Sequence, residues 1–418
     1  MLAALRTATL ILTQIAGASV DGGGQRWPDF RGPTGDGHAP DAEVPLEWSE
    51  DENVAWKTLI HGRGWSSPVV WDGQIWLTTA TPEGDELSVL ALDAATGKVL
   101  HDDVLFDVPA PQRRNAMNSH ASPSPVIEEG RVYVHFGSAG TACLDTKSRK
   151  TLWERRDLSC DHIEGPGSSP ILFEDLLIFH MDGGDVQYVV ALDKRTGKTS
   201  WKTERSVALE HLVPDRRKAY GTPLVVDTGE RLELVCSGAE ATMAYDPRTG
   251  EELWKVLYAG WSMASRPIVG DGLVYFTTGY LRPRLLAVRP GGSGDVTGER
   301  IAWSVGRRIP TMPSPILVDG RVYVVSNGGM ATCLDAKTGD EKWRARIGGE
   351  TCASPVYASG RIYFCDRDGM TRVVRPGDEL ETLATNHLDD GFMASPAVLG
   401  NALILRTTSH LYRIEESR

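Results

Sequence analysis

Acidic and histidine side chains, the residue types that ligate metal ions, cluster in two short segments. The first runs Asp161-His162-Ile163-Glu164, and the second runs from Asp182 to Gln187 and includes Asp185. The spacing of the first matches no known zinc pattern, and the second lacks the ligand number and terminal Glu of a calcium loop. The sequence therefore predicts no metal site. These polar residues are instead candidates for binding a partner, namely His162, Glu164, Asp182 and Gln187.

A second polar group lies earlier in the chain and carries positive charge and amides. Its candidates for contact with a partner are Arg113, Asn118 and His120. No nucleophile elbow, zinc-protease motif or phosphate-binding loop occurs in the sequence. Sets of Ser, His and Asp can be drawn across the loops, but a Ser-rich chain offers such sets by chance. No catalytic residue is predicted.

The elements that must position these residues follow from a repeat. A hydroxyl residue, or once an Arg, precedes a proline and an apolar run eight times. The prolines are Pro68, Pro125, Pro170, Pro223, Pro267, Pro315, Pro355 and Pro396. They lie 40 to 57 residues apart, and a period in this range made of short β-runs is typical of a propeller.

The sixth unit shows the pattern most clearly. Strands are predicted at Pro315–Val318, Arg321–Ser326, Met330–Asp335 and Glu341–Ala345, and Gly-containing turns separate them. That is one blade of four antiparallel strands. The sequence thus predicts an all-β, eight-bladed propeller over residues 51–418.

The last blade ends after three predicted strands, which would leave an exposed edge. Asn53–Lys57 reads as the missing fourth strand, although it precedes the first blade. We therefore expect this N-terminal strand to complete the last blade and close the ring. Residues 19–50, rich in Gly, Pro and Asp, are predicted to form a surface strap with little regular structure.

Two positions in each repeat are expected near the channel mouth, because loops carry function more often than the scaffold does. The residue three before each proline is Trp65, Ser122, Gly167, Tyr220, Ala264, Met312, Cys352 or Met393. The residue directly before it is Ser67, Ser124, Ser169, Thr222, Arg266, Ser314, Ser354 or Ser395. The hydroxyls are expected to bond local backbone. Arg266 breaks the series and needs a carboxylate, water or an anionic ligand, so a ligand contact and a structural ion pair both stay open.

The pattern Ala-Leu-Asp-x-x-Thr-Gly-x-x-x-Trp at 191–201 resembles the repeat of pyrroloquinoline quinone (PQQ)-type propellers. That repeat occurs in quinoprotein alcohol dehydrogenases and in the outer-membrane assembly protein BamB. The segment 27–33, Trp-Pro-Asp-Phe-Arg-Gly-Pro, resembles the opening of PQQ-like propeller proteins abundant in planctomycete-type bacteria. The repeated Trp is expected to pack between adjacent blades.

The resemblance to the dehydrogenases implies PQQ at the channel mouth with a calcium ion beside it. Trp65, Tyr220 or Trp261 would then stack on the quinone, and Arg266 would meet its carboxylates. The chain departs from that pattern, because it has no adjacent cysteines and no motif for the calcium ligands. It departs from BamB-type lipoproteins as well, because no Cys lies near the predicted cleavage site.

Composition narrows the classes of partner. The net charge of −12 at pH 7 argues against nucleic acid and against anionic membrane surfaces. Arg6, the apolar run that follows it and Ala16-Gly17-Ala18 predict a cleaved signal peptide over residues 1–18. Cys143 and Cys333 hold equivalent repeat positions and are expected to be buried as small apolar residues, although disulfides stay possible in an exported protein.

Together these observations predict an exported, periplasmic or extracellular, monomeric propeller without a stable membrane anchor. Its predicted role is non-catalytic binding of a protein or glycan partner on the loop face. The alternatives are a PQQ- and calcium-dependent dehydrogenase acting on alcohols or sugars, and a BamB-like assembly factor. Fold-level resemblance does not separate them, because one fold hosts many functions.

Overall fold

The computed structural model describes Thr13–Gln14 and residues 26–416. The rest of the predicted signal peptide lies outside the described residues. Eight sheets form a ring of blades, as predicted, and each blade has a core of four antiparallel strands; short extra strands extend two of the sheets to six and five strands. No helix in the described part of the chain is long and apolar enough to cross a membrane.

The strands of blades 1 to 4, from the innermost outward, have clear bounds. Blade 1 contains Val69–Trp71, Gln74–Ala80, Glu86–Asp93 and Val99–Asp107. Blade 2 contains Val126–Glu128, Arg131–His135, Thr141–Asp145 and Thr151–Arg155. Blade 3 contains Ile171–Phe173, Leu176–Asp182, Gln187–Asp193 and Thr199–Glu204. Blade 4 contains Leu224–Asp227, Leu232–Gly238, Ala241–Tyr245 and Glu252–Leu257, and Thr13–Gln14 pairs with the first of these.

Blades 5 to 8 continue the same order. Blade 5 contains Ile268–Gly270, Leu273–Thr277, Leu285–Val288 and Ile301–Val305. Blade 6 contains Ile316–Val318, Arg321–Val325, Met330–Asp335 and Glu341–Arg346. Blade 7 contains Val356–Ala358, Arg361–Cys365, Met370–Arg375 and Glu381–His387. Blade 8 contains Ala397–Leu399, Ala402–Arg406, His410–Ile414 and Val54–Leu59.

Helices are short and lie in the connections. They are the 3₁₀ turns Gly137–Ala139 and Pro214–Arg216 and the α-helical turn Thr297–Arg300. The last belongs to an irregular insertion, residues 289–300, between the third and fourth strands of blade 5. Within that insertion, Gly294–Asp295 pairs in parallel with the outer strand of blade 4, so the insertion covers an edge that would otherwise be open.

The ring closes with the N-terminal strand, which confirms the prediction. Val54–Leu59 pairs antiparallel with His410–Ile414, with Lys57 opposite Tyr412. Two distant parts of the chain thus share one sheet, and Val54–Leu59 is the outermost strand that completes blade 8.

Buried side chains concentrate at the seams between neighbouring blades. The cluster between blades 1 and 2, for example, joins Trp76 and Val89 to Val132 and Val134, all with no exposed surface. Cys143 and Cys333 are likewise fully buried, as predicted, and all six cysteines are free.

The repeated Trp packs between blades, as expected. Trp153 of blade 2 donates from Nε1 to the Lys194 carbonyl in a turn of blade 3, at 3.0 Å. Trp56 makes the same contact across the closing seam, to the Ala94 carbonyl of blade 1 at 3.2 Å. Each ring lies on a turn glycine with positive φ, so the Thr-Gly turn of one blade receives the Trp of the blade before it.

The described part of the strap, residues 26–50, crosses the central channel. Trp27 exchanges two backbone hydrogen bonds with the inner strand of blade 1, at 2.9 and 2.8 Å. The guanidinium of Arg31 donates to the Pro315 carbonyl of blade 6 at 2.7 Å. His38–Ala39 then pairs in parallel with the inner strand of blade 7. Because these blades lie on different sides of the ring, the strap spans the channel and is partly buried rather than confined to the surface.

Candidate functional site

A cavity of about 510 Å³ opens on the face that carries the loops before each first strand. All eight residues that stand three before a repeat proline line it, namely Trp65, Ser122, Gly167, Tyr220, Ala264, Met312, Cys352 and Met393. Hairpins between second and third strands add Tyr280, Asn327 and Arg367. The expectation that these positions meet at the channel mouth is confirmed.

The residues directly before the prolines form a hydrogen-bonded ring. In seven of the eight steps round the ring, the backbone N–H of one such residue donates to the side-chain hydroxyl of its equivalent in the next blade, at 2.9 to 3.3 Å. One run of bonds goes from Ser67 through Ser124 and Ser169 to Thr222, and the other goes from Arg266 through Ser314, Ser354 and Ser395 back to Ser67. The expectation of local backbone bonds was wrong, because the accepted bonds come from the neighbouring blade. Each hydroxyl that accepts such a bond keeps its own O–H as a donor. Six of the seven hydroxyl residues also line the cavity.

Arg266 interrupts the ring, since Thr222 meets no hydroxyl at that position. Its guanidinium instead bonds the strap, with Nη1 at 3.2 Å from Asp29 Oδ2 and at 2.6 Å from the Phe30 carbonyl oxygen. Only 4% of its side chain is exposed, and it is not among the residues that line the cavity. Of the two roles that the sequence left open for Arg266, the structure shows the structural ion pair, with Asp29. Burial raises the pKa of Asp29, which Arg266 partly offsets.

Phe30 of the strap lines the cavity, together with residues from the ring of blades. Sequence reasoning missed it, because the strap has no repeat that would place it. The strap therefore makes the cavity blind rather than part of an open channel.

The aromatic candidates divide into two groups. Trp65 and Tyr220 line the cavity. Trp65 donates from Nε1 to the Met117 carbonyl at 2.9 Å, and the Tyr220 hydroxyl donates to the His162 carbonyl at 2.8 Å. Trp261 does not line the cavity, because its ring packs beneath the guanidinium of Arg216, 4.9 Å away.

Two of the polar candidates, Asn118 and Glu164, meet at the cavity wall. The Asn118 amide donates to the Glu164 carbonyl at 2.8 Å, and the Asn115 amide donates to the Glu164 carboxylate at 2.8 Å. These amides hold two loops together across the seam between blades 2 and 3. The cavity wall there is hydrogen-bonded and preorganised.

His162 and Asp182 are buried and face away from the cavity. Asp182 accepts two bonds from the Arg205 guanidinium, both at 2.6 Å, and lies 3.0 Å from Nδ1 of His180. His162 accepts a backbone N–H bond from Ser138 at 3.0 Å. Burial lowers the pKa of His162 to about 4, so its ring is neutral near pH 7. Both residues support the loops.

The remaining candidates, Gln187, Arg113 and His120, do not line the cavity. Gln187 donates to the Gly183 carbonyl at 2.7 Å within a hairpin. Arg113 is exposed, and His120 is half-buried against Gly84. The sequence analysis did not single out Arg63, which lies two residues before Trp65 and lines a groove beside the cavity. Its proximity to Trp65 in the chain was the available signal.

Comparison with known proteins places the chain in a family. A family model described as outer membrane protein assembly factor BamB matches residues 46–156, 185–288 and 243–381. A BamB from Yersinia pestis is 25% identical over 230 residues, covering 43% of this chain and 57% of that protein. Quinohemoprotein alcohol dehydrogenase ADH IIB from Pseudomonas putida is also 25% identical, over 353 residues, covering 76% of this chain and 49% of that protein. The chain thus matches about half the length of each.

A solved structure shows the shared fold. Quinohemoprotein alcohol dehydrogenase from Comamonas testosteroni superposes with a TM-score of 0.63 at 12% identity, over 94% of this chain and 81% of that one. Both functional classes therefore share this architecture. Because the family model matches well over half of the chain, the protein belongs to the PQQ-like β-propeller family that includes BamB and the quinoprotein dehydrogenases.

Proposed function

We propose that this protein is an exported, non-catalytic propeller that binds a protein or glycan partner at the loop-face cavity. The observation that carries the proposal is the enclosure of all eight repeat-equivalent residues in one blind cavity. A concave site of this size, in which aromatic and apolar side chains alternate with hydrogen-bonding groups, suits a small ligand.

The chemistry of the lining favours binding over catalysis. It consists mainly of hydroxyls, amides, aromatic rings and methionines. Burial raises the pKa of the Cys352 thiol to about 11, so it is protonated near neutral pH and is a poor nucleophile. Among the described residues, no group of three or more His, Cys, Asp or Glu side chains could hold a metal ion.

The cavity does not fit PQQ. The cofactor carries carboxylates and needs cations, but the predicted cation, Arg266, is bound to Asp29 below the cavity. Arg367 is the cation in the lining, and it pairs with Glu350. Glu164 and Glu350 add negative charge to the wall. A ligand with several carboxylates would meet repulsion there.

Two further parts of the proposal rest on other observations. Export is supported by the residue pattern from Arg6 to Ala18, and an intact Met1 in the mature protein, detected by mass spectrometry, would contradict it. A role in outer-membrane protein assembly, which the name of the Yersinia relative states for that protein, would make the partner a protein.

The test combines calorimetry with capture. Titration with PQQ and Ca²⁺ is expected to give no binding heat, and envelope material is expected to yield a specific protein or glycan. The variant Trp65→Ala should lose that partner, because it removes an aromatic face of the cavity. Lys147→Ala, an exposed residue in a turn on the opposite face, is the control that should retain it. Binding of PQQ with dye-linked alcohol oxidation would overturn the proposal.

A further inference from the structure

A groove of about 380 Å³ adjoins the cavity at the seam between blades 8, 1 and 2. It shares four lining residues with the cavity, namely Trp65, Met117, Arg367 and Met393. The two spaces therefore adjoin each other, and a ligand longer than the cavity would reach the groove past these side chains. Arg63 lines the groove but not the cavity.

Arg63 is underused by the protein. Its guanidinium lies over the Trp65 ring, 5.1 Å from the centroid, and Nη2 donates to the Ala116 carbonyl. Its Nε is buried and has no hydrogen-bond partner among the described residues. A guanidinium carries five N–H donors, so several stay free for a ligand. A buried donor without a partner costs free energy, so the protein itself leaves Arg63 incompletely satisfied.

The charges around Arg63 are of the same sign. Arg114 donates to the carbonyl oxygens of Pro82, Asn115 and Asn118, which satisfy its N–H groups without neutralising it. The positive charges of Arg114 and Arg63, together with burial, lower the pKa of His120. Within the described part of the chain, none of these three residues forms an ion pair with a carboxylate.

The two guanidinium charges, those of Arg63 and Arg114, stand out in a protein whose net charge is −12. Uncompensated like charges destabilise a fold by repulsion, and here they border the cavity that we propose binds a partner. Their arrangement matches the carboxylate or sulfate of a ligand, because a guanidinium binds such groups through paired N–H donors.

We propose that the ligand is an anionic saccharide, whose carboxylate or sulfate binds Arg63 while its sugar rings contact Trp65 and enter the hydroxyl-ringed cavity. This inference rests on the proposed binding function and names its ligand class. The free O–H groups of the ring residues suit a ligand with many hydroxyls. A folded protein partner would bury about 800 Å² on each side, whereas a cavity of 510 Å³ holds a small ligand.

The test is calorimetric titration of the full mature protein with four probes. These are a maltotriose oxidised to glucuronate at its terminal residue, a monosulfated carrageenan disaccharide, neutral maltotriose and a hexaglutamate peptide. Binding of either anionic saccharide in preference to maltotriose, weakened by added salt, is the expected result. The two anionic probes distinguish carboxylate from sulfate recognition, and either one supports the inference.

Variants localise the effect. Arg63→Gln should raise the Kd for the anionic saccharide about 10- to 100-fold, because it removes a charge-assisted hydrogen bond. Arg195→Gln removes the same charge from an exposed turn on the opposite face and should leave the Kd unchanged. If Arg63→Gln fails to fold, Trp65→Ala takes its place, and it should also weaken binding of the anionic saccharide.

Three results would overturn the inference and separate it from the proposed function. Equal binding of maltotriose, insensitive to Arg63→Gln, would leave a glycan-binding propeller that ignores charge. Tighter binding of hexaglutamate would assign the groove to an acidic protein segment. Failure of all four probes, with specific capture of a protein from the envelope, would retain the function and remove the saccharide. PQQ binding with turnover would remove both.

Discussion

Arg266 shows how one exchange at a repeated position changes its task. In the other seven blades a hydroxyl accepts a backbone bond from the preceding blade, whereas Arg266 gives up that bond and holds the strap through Asp29 and Phe30. The sequence alone revealed the exchange, because the other seven residues define the position. It did not reveal the partner, because Asp29 is 237 residues away in the chain.

The first prediction tests this anchor. Arg266→Ser should lower the free energy of unfolding by about 3 kcal/mol, because it leaves the buried Asp29 carboxylate without its cation. The double variant Arg266→Ser with Asp29→Asn should recover most of that loss. The buried negative charge of Asp29 is then gone, and the serine hydroxyl supplies the acceptor that the Thr222 backbone N–H lacks. Thermal unfolding of both variants measures the difference.

An equal loss in the single and double variants would contradict the anchor, since it would place the cost outside the ion pair. Limited proteolysis adds a local measurement. Cleavage within residues 26–50 should increase in the single variant, because the strap loses its attachment to blade 5.

At the level of the elements, the blades are joined by a Trp from one and a Gly turn from the next. Gly97 at the closing seam has φ +70°, and a Cβ there would lie 2.6 Å from the Trp56 ring. Gly73, in the hairpin between the first two strands of blade 1, has φ +72° and no atom within 4 Å of such a Cβ. The two glycines therefore share backbone conformation and differ in packing.

This pair gives the second prediction. Gly73→Ala should cost about 1 kcal/mol from backbone strain alone. Gly97→Ala should cost about 1–3 kcal/mol more, because it also overpacks the seam that closes the ring. Chemical denaturation of the two variants compares them, and equal losses would show that the Trp56 contact contributes nothing to closure.

The strands of blade 6 were predictable from the sequence to within about one residue, because a proline recurs at the start of every blade and turn glycines recur in most of them. The closing strand was predictable as well, since blade 8 lacked one strand. The path of the strap was not. Its contacts join Trp27, Arg31 and His38 to strands far along the chain, and no periodicity encodes such pairings.

For the whole molecule, the repeat determines the scaffold and leaves the function to the loops. The positions lining the cavity followed from the repeat, including Trp65 and Tyr220. His162 and Asp182 have the residue types of a binding site, yet both are buried and support the loops. The sequence alone does not show which loop residues are buried. Two relatives of different function at the same 25% identity show the same separation of fold and function.

Two histidines buried in blades 2 and 3 make the stability of the fold depend on pH. Burial lowers the pKa of His135 to about 3 and that of His162 to about 4, well below the usual 6.5. Both rings are neutral in the folded protein, whereas an unfolded chain protonates them below about pH 6.5. Unfolding therefore takes up protons in this range, and stability falls as pH drops from about 6.5 toward 4.

The last prediction is that acidification from pH 7 to pH 5 costs about 2 kcal/mol of stability for each of these histidines. A smaller net charge near the sequence pI of 5.4 relieves general repulsion and opposes this loss, so the histidine contribution has to be isolated. The variant His162→Gln keeps an acceptor for the Ser138 N–H but cannot gain a proton. Calorimetric unfolding across pH 5 to 7 should give a shallower pH dependence for this variant than for the natural chain. Parallel curves would show that His162 titrates normally and is open to solvent, which contradicts its burial beneath the cavity wall.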